Sequence, residues 1–316
     1  MKRILEYAWP IIGVAAVIFS GWLLYRELHT LSADAIIASL SAIPAYRWVL
    51  AVLSTVAAYA ALAWYDRIAL LHLGKPLGWG FISLVSFTTY ALSHNIGASV
   101  LSGAAVRYRA YSTKGLSAAE IGVLVALCSF TFLLGTVLLA GIVLIIEPDF
   151  FAAMTGIPEW SERLVGIAML GGVALYVVGS LMHFRPLKIG KFELFYPRPA
   201  IVFRQLLAAP IELIGAAGII YFALPAADGV NFLSVLAAFL ASFSAALLSH
   251  APGGLGVLEL VFLKSMPGLN QADVVAALLV FRLLYLLLPL VFACVVVLFF
   301  ERQRLVDALK ARKGAH

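Results

Sequence analysis

Residues Ser93 to Lys114 read SHNIGASVLSGAAVRYRAYSTK, a polar stretch set between long apolar runs, where the hydropathy of the rest of the chain predicts membrane. A histidine, an asparagine and two arginines fall inside it, and at hydrocarbon depth each charge costs at least about 2.5–3.5 kcal/mol on an insertion scale. Protein or water must therefore cover it. A second stretch of the same kind, SHAPGGLGVLELVFLKSMPG, runs from Ser249 to Gly268, and the two are expected to face each other inside the bilayer.

The surroundings of these stretches are membrane by composition. Of 316 residues 63% are hydrophobic and 12% charged, and the mean hydropathy is +1.03, whereas a soluble domain carries about 25% charged residues. Spans without water must be helices or a closed barrel, and unalternating runs such as Val165 to Met182 select helices. The net charge of +6 collects in loops and at the chain ends, which points to anionic lipid and the positive-inside rule rather than to nucleic acid. Cys128 and Cys294 both lie in apolar runs and read as small core residues, not as a disulfide framework.

In chain order, Ala8 to Tyr25 reads as a retained first span rather than a cleaved signal peptide, because it is long and lacks a small-residue cleavage site. Leu31 to Leu40 has the pattern of a short interfacial helix. Trp48 to Tyr65 is a second span, with Trp64-Tyr65-Asp66-Arg67 as headgroup anchors. Further apolar runs cover Leu77 to Leu92, Ser117 to Ile146, Leu164 to Leu181, Ile201 to Leu224, Asn231 to Leu248 and Ala272 to Phe300. Between them lie an acidic loop (Glu147, Asp149, Glu159, Glu162) and a basic one (Arg185, Lys188, Lys191, Arg198, Arg204). The basic loop and the basic tail 301–316 are expected in the cytoplasm together with the N-terminus, and the acidic loop outside. That threading closes only if each polar stretch crosses again or re-enters. The expected fold is therefore an all-α polytopic membrane helix bundle of about eight spans with two broken or re-entrant helices, a single transmembrane domain over 1–316 with halves 1–150 and 163–300.

The halves look alike. Setting Gly103 against Gly256 aligns Gly115-Leu116-Ser117-Ala118-Ala119-Glu120-Ile121 with Gly268-Leu269-Asn270-Gln271-Ala272-Asp273-Val274, without a gap, at an offset of 153 residues. Under the charge-derived threading the two copies run in opposite senses, an inverted repeat of the kind found in secondary transporters. Chance matching of glycine-rich segments is the competing account.

Several residues carry a chemical reading. Arg107, Tyr108, Arg109 and Tyr111 combine a guanidinium fork that suits phosphate with amphipathic rings that suit a headgroup boundary. On a helix Arg107 and Tyr111 share a face with Gly103, and Arg109 points away by about 160°; the bland alternative is a pair of ordinary membrane-edge arginines. Gly253, Gly254 and Gly256 before Glu259 read as a flexible break followed by a helix N-terminus that can receive an anion. Glu259 can complement the helix dipole, pair with an arginine or bind a cationic headgroup. Glu212 and Arg282 sit deep in their spans, and each is expected to have a charge partner, with Arg282 to Glu212 or Glu259 favoured. His94 and His250 read as satisfied core histidines or, with Asn95, as a polar or proton relay. Ser117 with Glu120, and Asn270 with Asp273, read as helix-capping pairs. No phosphate-binding loop, H-E-x-x-H or C-x-x-C occurs, so no catalytic set, no metal site and no cofactor is expected.

SHNIGASVLSGAAVRYRAYSTKGLS, HAPGGLGVLE and AALLVFRLLYLLLPL together resemble the transmembrane region of bacterial lysylphosphatidylglycerol synthases of the multiple peptide resistance factor type, and still more the stand-alone YbhN-like inner-membrane proteins. The resemblance covers essentially the whole chain. It implies a lipid flippase or scramblase handling anionic or aminoacylated phospholipid in the bacterial inner membrane, with Arg107, Arg109, Tyr111 and the Gly253 to Glu259 turn in contact with lipid. Because the sequence ends at His316, without the synthases' catalytic domain, the resemblance puts aminoacyl transfer in doubt. The expected partners are membrane phospholipids, with a homo-oligomer or an envelope protein as further partner and no nucleic acid. A non-transporting, lipid-binding subunit that docks a partner in envelope assembly is the alternative; an intramembrane enzyme is disfavoured for want of a nucleophile and base.

Overall fold

A computed structural model describes residues 33–298 except 97–98, 149–155, 157, 183–186, 190–191, 195–196, 226–229 and 250–251. The expected first span, the tail 301–316 and His250 lie outside the described residues. Ten helices occur among them: α1 (Ala33–Ser41), α2 (Ala45–His72), α3 (Trp79–Ile96), α4 (Ser99–Tyr111), α5 (Ala118–Ile146), α6 (Glu159–Leu181), α7 (Pro199–Ala223), α8 (Phe232–Leu248), α9 (Val257–Ser265) and α10 (Gln271–Leu298). One antiparallel hairpin of β1 (Leu187–Ile189) and β2 (Phe192–Leu194) joins α6 to α7. Five helices, α2, α5, α6, α7 and α10, are long and apolar enough to cross a membrane. Large apolar side chains such as Leu53, Ile167, Phe203, Ile214 and Phe292 are exposed on them, as a lipid-facing surface requires.

Of the eight runs counted in the sequence, Ala8 to Tyr25 lies outside the described residues, and the other two missing from these five turn back, the re-entry that the charge threading allows for. α3, of 18 residues and about 27 Å, is followed by α4, which lies antiparallel along it. Gly103 sits by Thr89 and Ser93, Arg107 by Tyr90, and the Tyr111 ring 5.9 Å from Phe81. Lys75 before α3 pairs with Glu120 at the start of α5 at 3.2 Å, so this hairpin enters and leaves at one side. In the second half α9 doubles back along α8 in the same way, with Gly254 against Ala246. The hydropathy of a single arm does not distinguish a span from half of a hairpin.

The second hairpin begins at the other end of the bundle from the first. α5 leads across, and Glu147 just past its end accepts from Asn231 Nδ2 at 2.5 Å and Ser234 Oγ at 2.8 Å at the start of α8. The order long helix, hairpin, long helix thus occurs twice, and the leading helices α2 and α7 pack antiparallel: Arg47 donates to the Leu224 carbonyl at one end, and Tyr65 meets Glu212 further along. The residues aligned between the two halves in sequence fall at helix caps. Ser117 accepts from the Glu120 N–H and Glu120 from the Ser117 N–H, a reciprocal capping box on α5, while Asn270 Oδ1 accepts from Ala272 N–H at 2.9 Å on α10.

α7 occupies the centre because it is built from small residues. Ala208, Ala209, Ala216 and Ala217 are fully buried; without a hydrophobic drive between helices in lipid, close backbone approach is what holds such a contact. A Cβ on Gly215 would lie 2.9 Å from the Ser54 carbonyl and 3.0 Å from Ala58 N. Gly215→Val is therefore expected to force α2 and α7 apart and to cost about 1–3 kcal/mol, read as a lowered thermal midpoint by circular dichroism in detergent; an unchanged midpoint would contradict this packing.

α10 carries the one π turn among the described residues. Pro289 offers no N–H to the Tyr285 carbonyl four residues back, and its ring crowds that carbonyl. Over Arg282–Leu287 the helix opens to π geometry, with Leu288 N–H on the Leu283 carbonyl. Side chains take up the carbonyls: Tyr59 Oη donates to Tyr285 at 2.9 Å and Asn95 Nδ2 to Leu286 at 3.1 Å.

Candidate functional site

A buried ion pair at the first hairpin, a part-buried one at the second, and a buried carboxyl between them form a polar seam through the bundle. In the first hairpin Gly103, Arg107 and Tyr111 share one face of α4, as their spacing predicts. Opposite them is Asp66 on α2. Arg107 Nη2 donates to Asp66 Oδ1 at 2.6 Å, and Nε lies 3.2 Å from Oδ2. Tyr111 Oη donates to Oδ2 at 2.8 Å and the Cys128 thiol to Oδ1 at 3.4 Å. Asp66 and Tyr111 are 0% exposed and Arg107 is 4% exposed. The guanidinium also lies 4.9 Å from the centre of the Tyr90 ring, a cation–π contact favoured where water is excluded. Gly103 makes room one turn earlier: a Cβ there would stand 3.4 Å from Arg107 Nη1.

Asp66 is the residue that sequence reading misplaced. Taken as a headgroup anchor with its neighbours, it is instead fully buried, as is Tyr65, because α2 runs on to His72 and carries both inward. Arg67 does lie at the edge, over the Trp79 ring at 4.5 Å. The Arg107 cluster is accordingly charge-balanced, not cationic. Tyr108 and Arg109 fall on the exposed face of α4.

In the second hairpin Gly253, Gly254 and Gly256 all adopt positive φ, at 59°, 62° and 78°. At Gly254 a side chain is barred twice, since a Cβ would also meet that of Ala246 at 2.8 Å. The turn delivers Glu259 on the first turn of α9, where Oε2 accepts from Gly256 N–H at 2.9 Å and Oε1 accepts from Arg282 Nε. Arg282 Nη1 donates to the Gly253 carbonyl at 3.1 Å, while its buried Nη2 has no hydrogen-bond partner among the described residues. Of the two carboxylates expected to pair with Arg282, Glu259 is the one that does.

Glu212 corrects the other half of that expectation. It is 1% exposed and has no basic partner among the described residues; Tyr285 Oη donates to it at 2.7 Å and Tyr65 Oη lies at 3.5 Å. Distances along the chain of 73 and 147 residues put these phenols beyond any motif. His94 stacks on Tyr285 with ring centres 5.4 Å apart, and its Nδ1 has no hydrogen-bond partner among the described residues. Asn95 clasps the π turn, and its own carbonyl stands 4.0 Å from where a Gly253 Cβ would lie. The two polar stretches therefore do meet, through Asn95 and Gly253. Of the cysteines, Cys128 is in the core and holds Asp66, whereas Cys294 is exposed. No group of three metal-binding side chains occurs among the described residues.

No family model matches the chain. Individual relatives do. The chain is 31% identical over 292 residues to the uncharacterized protein slr0712 of Synechocystis, across 92% of this chain and 90% of that one. It is 32% identical over 269 residues to the inner membrane protein YbhN of Escherichia coli, across 82% and 81% respectively. It is also 26% identical over 286 residues to phosphatidylglycerol lysyltransferase of Staphylococcus aureus, across 90% of this chain but 33% of that protein.

Proposed function

This chain belongs to the YbhN-like family of multi-pass inner-membrane proteins, and on that premise we propose that it is a lipid translocase, moving the headgroup of an anionic or aminoacylated phospholipid between leaflets while the acyl chains stay in lipid. The observation that carries this reading is the meeting of two oppositely entering hairpins at Asn95 and Gly253, each held by an arginine paired with a carboxylate. Hairpins that enter from opposite sides and meet within the bundle are how transporters built on inverted repeats make a midplane site. The relation to a phosphatidylglycerol-modifying enzyme supports a lipid as the cargo.

In the proposed cycle a headgroup phosphate first meets Arg282, whose Nη2 still has a donor to give. Phosphate then stands in for Glu259, one anion replacing another, so the arginine is never left unpaired. Arg107 receives the phosphate on the other side by the same exchange with Asp66. The halves act as an inverted repeat, with both termini in the cytoplasm. Arg109, on the exposed face of α4, contacts headgroups at the membrane edge together with Tyr108.

The test is reconstitution into vesicles with fluorescent phosphatidylglycerol and a reductant that bleaches only the outer leaflet. Wild-type protein is expected to expose the inner pool. The D66N/R107Q pair, which keeps both shapes and removes both charges, is expected to slow exchange about 10–150-fold, the worth of one hydrogen bond to a charged group at about 1.5–3 kcal/mol. Equal exchange with and without protein sinks the proposal, and stable copurification of one envelope protein would then favour the docking-subunit alternative.

A further inference from the structure

Glu212 stands near the middle of the 25-residue helix α7, where a bare carboxylate is costly and two phenols do not neutralise it. The groups around it are accounted for. From α2 come Tyr59 and Tyr65, with Asp66 beyond and committed to Arg107. From α10 come Tyr285 and, one turn earlier, Arg282, committed to Glu259. His94 of α3 lies on the Tyr285 ring; Cys128 of α5 bonds Asp66; Tyr176 of α6 bonds Gln205; and α8 has no titratable residue. Among the described residues no cage of oxygens suited to a metal cation surrounds the carboxyl, since such ions take six or more oxygen ligands and Glu212 has two hydroxyls. The cation that fits is a proton.

Its position gives it two levers. Tyr285, which donates to Glu212, lies in the π turn between Arg282, holder of the second hairpin through Glu259 and Gly253, and Leu286, whose carbonyl holds Asn95 of the first. An ionised Glu212 draws the Tyr285 hydroxyl in as a charge-assisted donor; a protonated one makes only a neutral hydrogen bond, about half as strong. The π turn is thereby biased between two positions, and both hairpins feel it.

We propose that Glu212 is a proton-binding site that couples lipid movement to a transmembrane proton gradient, with Tyr285 passing its protonation state to both hairpins. A proton binds the Glu212 carboxylate from one side of the membrane and leaves to the other, with no other bond made or broken. The coupling rests on the translocase reading above; the proton site itself does not.

Two arms test it on the full-length protein. In vesicles with a pH-sensitive dye inside and labelled phosphatidylglycerol, an imposed pH gradient is expected to speed wild-type lipid exchange about tenfold, while E212Q exchanges lipid at a rate the gradient leaves unchanged. A full gradient response in E212Q overturns the coupling. In infrared difference spectra across a pH step, the protonated-carboxyl band is expected in wild type and lost in E212Q; the same band in both overturns the proton site. Wild-type vesicles that move no lipid overturn the coupling and the translocase reading together, and the infrared arm still decides Glu212. If E212Q does not fold, Y285F replaces it: the midpoint of the infrared band is expected to shift by about one pH unit, and an unshifted midpoint overturns the link through Tyr285.

Discussion

Asp66→Ala is expected to lower the stability of the protein by about 3–5 kcal/mol, because it leaves the Arg107 guanidinium buried with no anion opposite it. Arg107→Ala should cost a similar amount by stranding the carboxylate, which would keep only the Tyr111 hydroxyl and the Cys128 thiol as donors. The double replacement should recover most of the loss, since the cost lies in an unpaired charge and not in a missing bridge. A double-mutant cycle on unfolding in detergent, followed by tryptophan fluorescence, reads this coupling directly. Additive single effects would mean that the two groups do not depend on each other as their 2.6 Å separation requires.

Arg282→Ala is expected to abolish lipid exchange to the level of protein-free vesicles and to loosen the second hairpin at the same time. One side chain there clasps Glu259 and the Gly253 carbonyl and offers the remaining nitrogen to cargo. Removing it strands a buried carboxylate, again at about 3–5 kcal/mol, and releases the glycine turn. Hydrogen exchange of the amides in α9 should rise sharply while those of α5 stay protected. Arg282→Lys keeps the charge but loses the planar fork, so it should retain part of the stability and little of the exchange. Lipid movement at the wild-type rate in either variant would remove Arg282 from the route.

Much of the fold is legible in the sequence because composition and helix starts are local properties. The hydrocarbon runs announce membrane helices, and the alignment of Ser117 with Asn270 falls on the residues that cap α5 and α10. Gly103, Arg107 and Tyr111 fall on one face as their spacing requires. Partners are another matter. Asp66 meets Arg107 across 41 residues, and nothing in Trp64-Tyr65-Asp66-Arg67 tells an anchor at the headgroups from a buried counter-ion until the end of α2 is known. Glu212 is similar. A carboxyl deep in a span calls for compensation, and an arginine is the obvious supplier; that phenols supply the hydrogen bonds instead follows from where α2 and α10 place Tyr65 and Tyr285. Hydropathy alone counts the first arm of each hairpin as a crossing, because an arm of 17 or 18 residues has that length; the re-entry is expected from the charge threading and the glycine breaks.

Pro289 has a consequence that reaches past its own turn. By widening α10 it slips the winding of everything after Leu287 relative to a regular helix, and one residue of slip is about 100° of rotation. Ala293, fully enclosed, and Phe292 and Val295, facing outward, owe their directions to that offset. The last third of the helix is thus phased by an imino acid, and a chain of the same length without it would present a different stripe to the surrounding acyl tails.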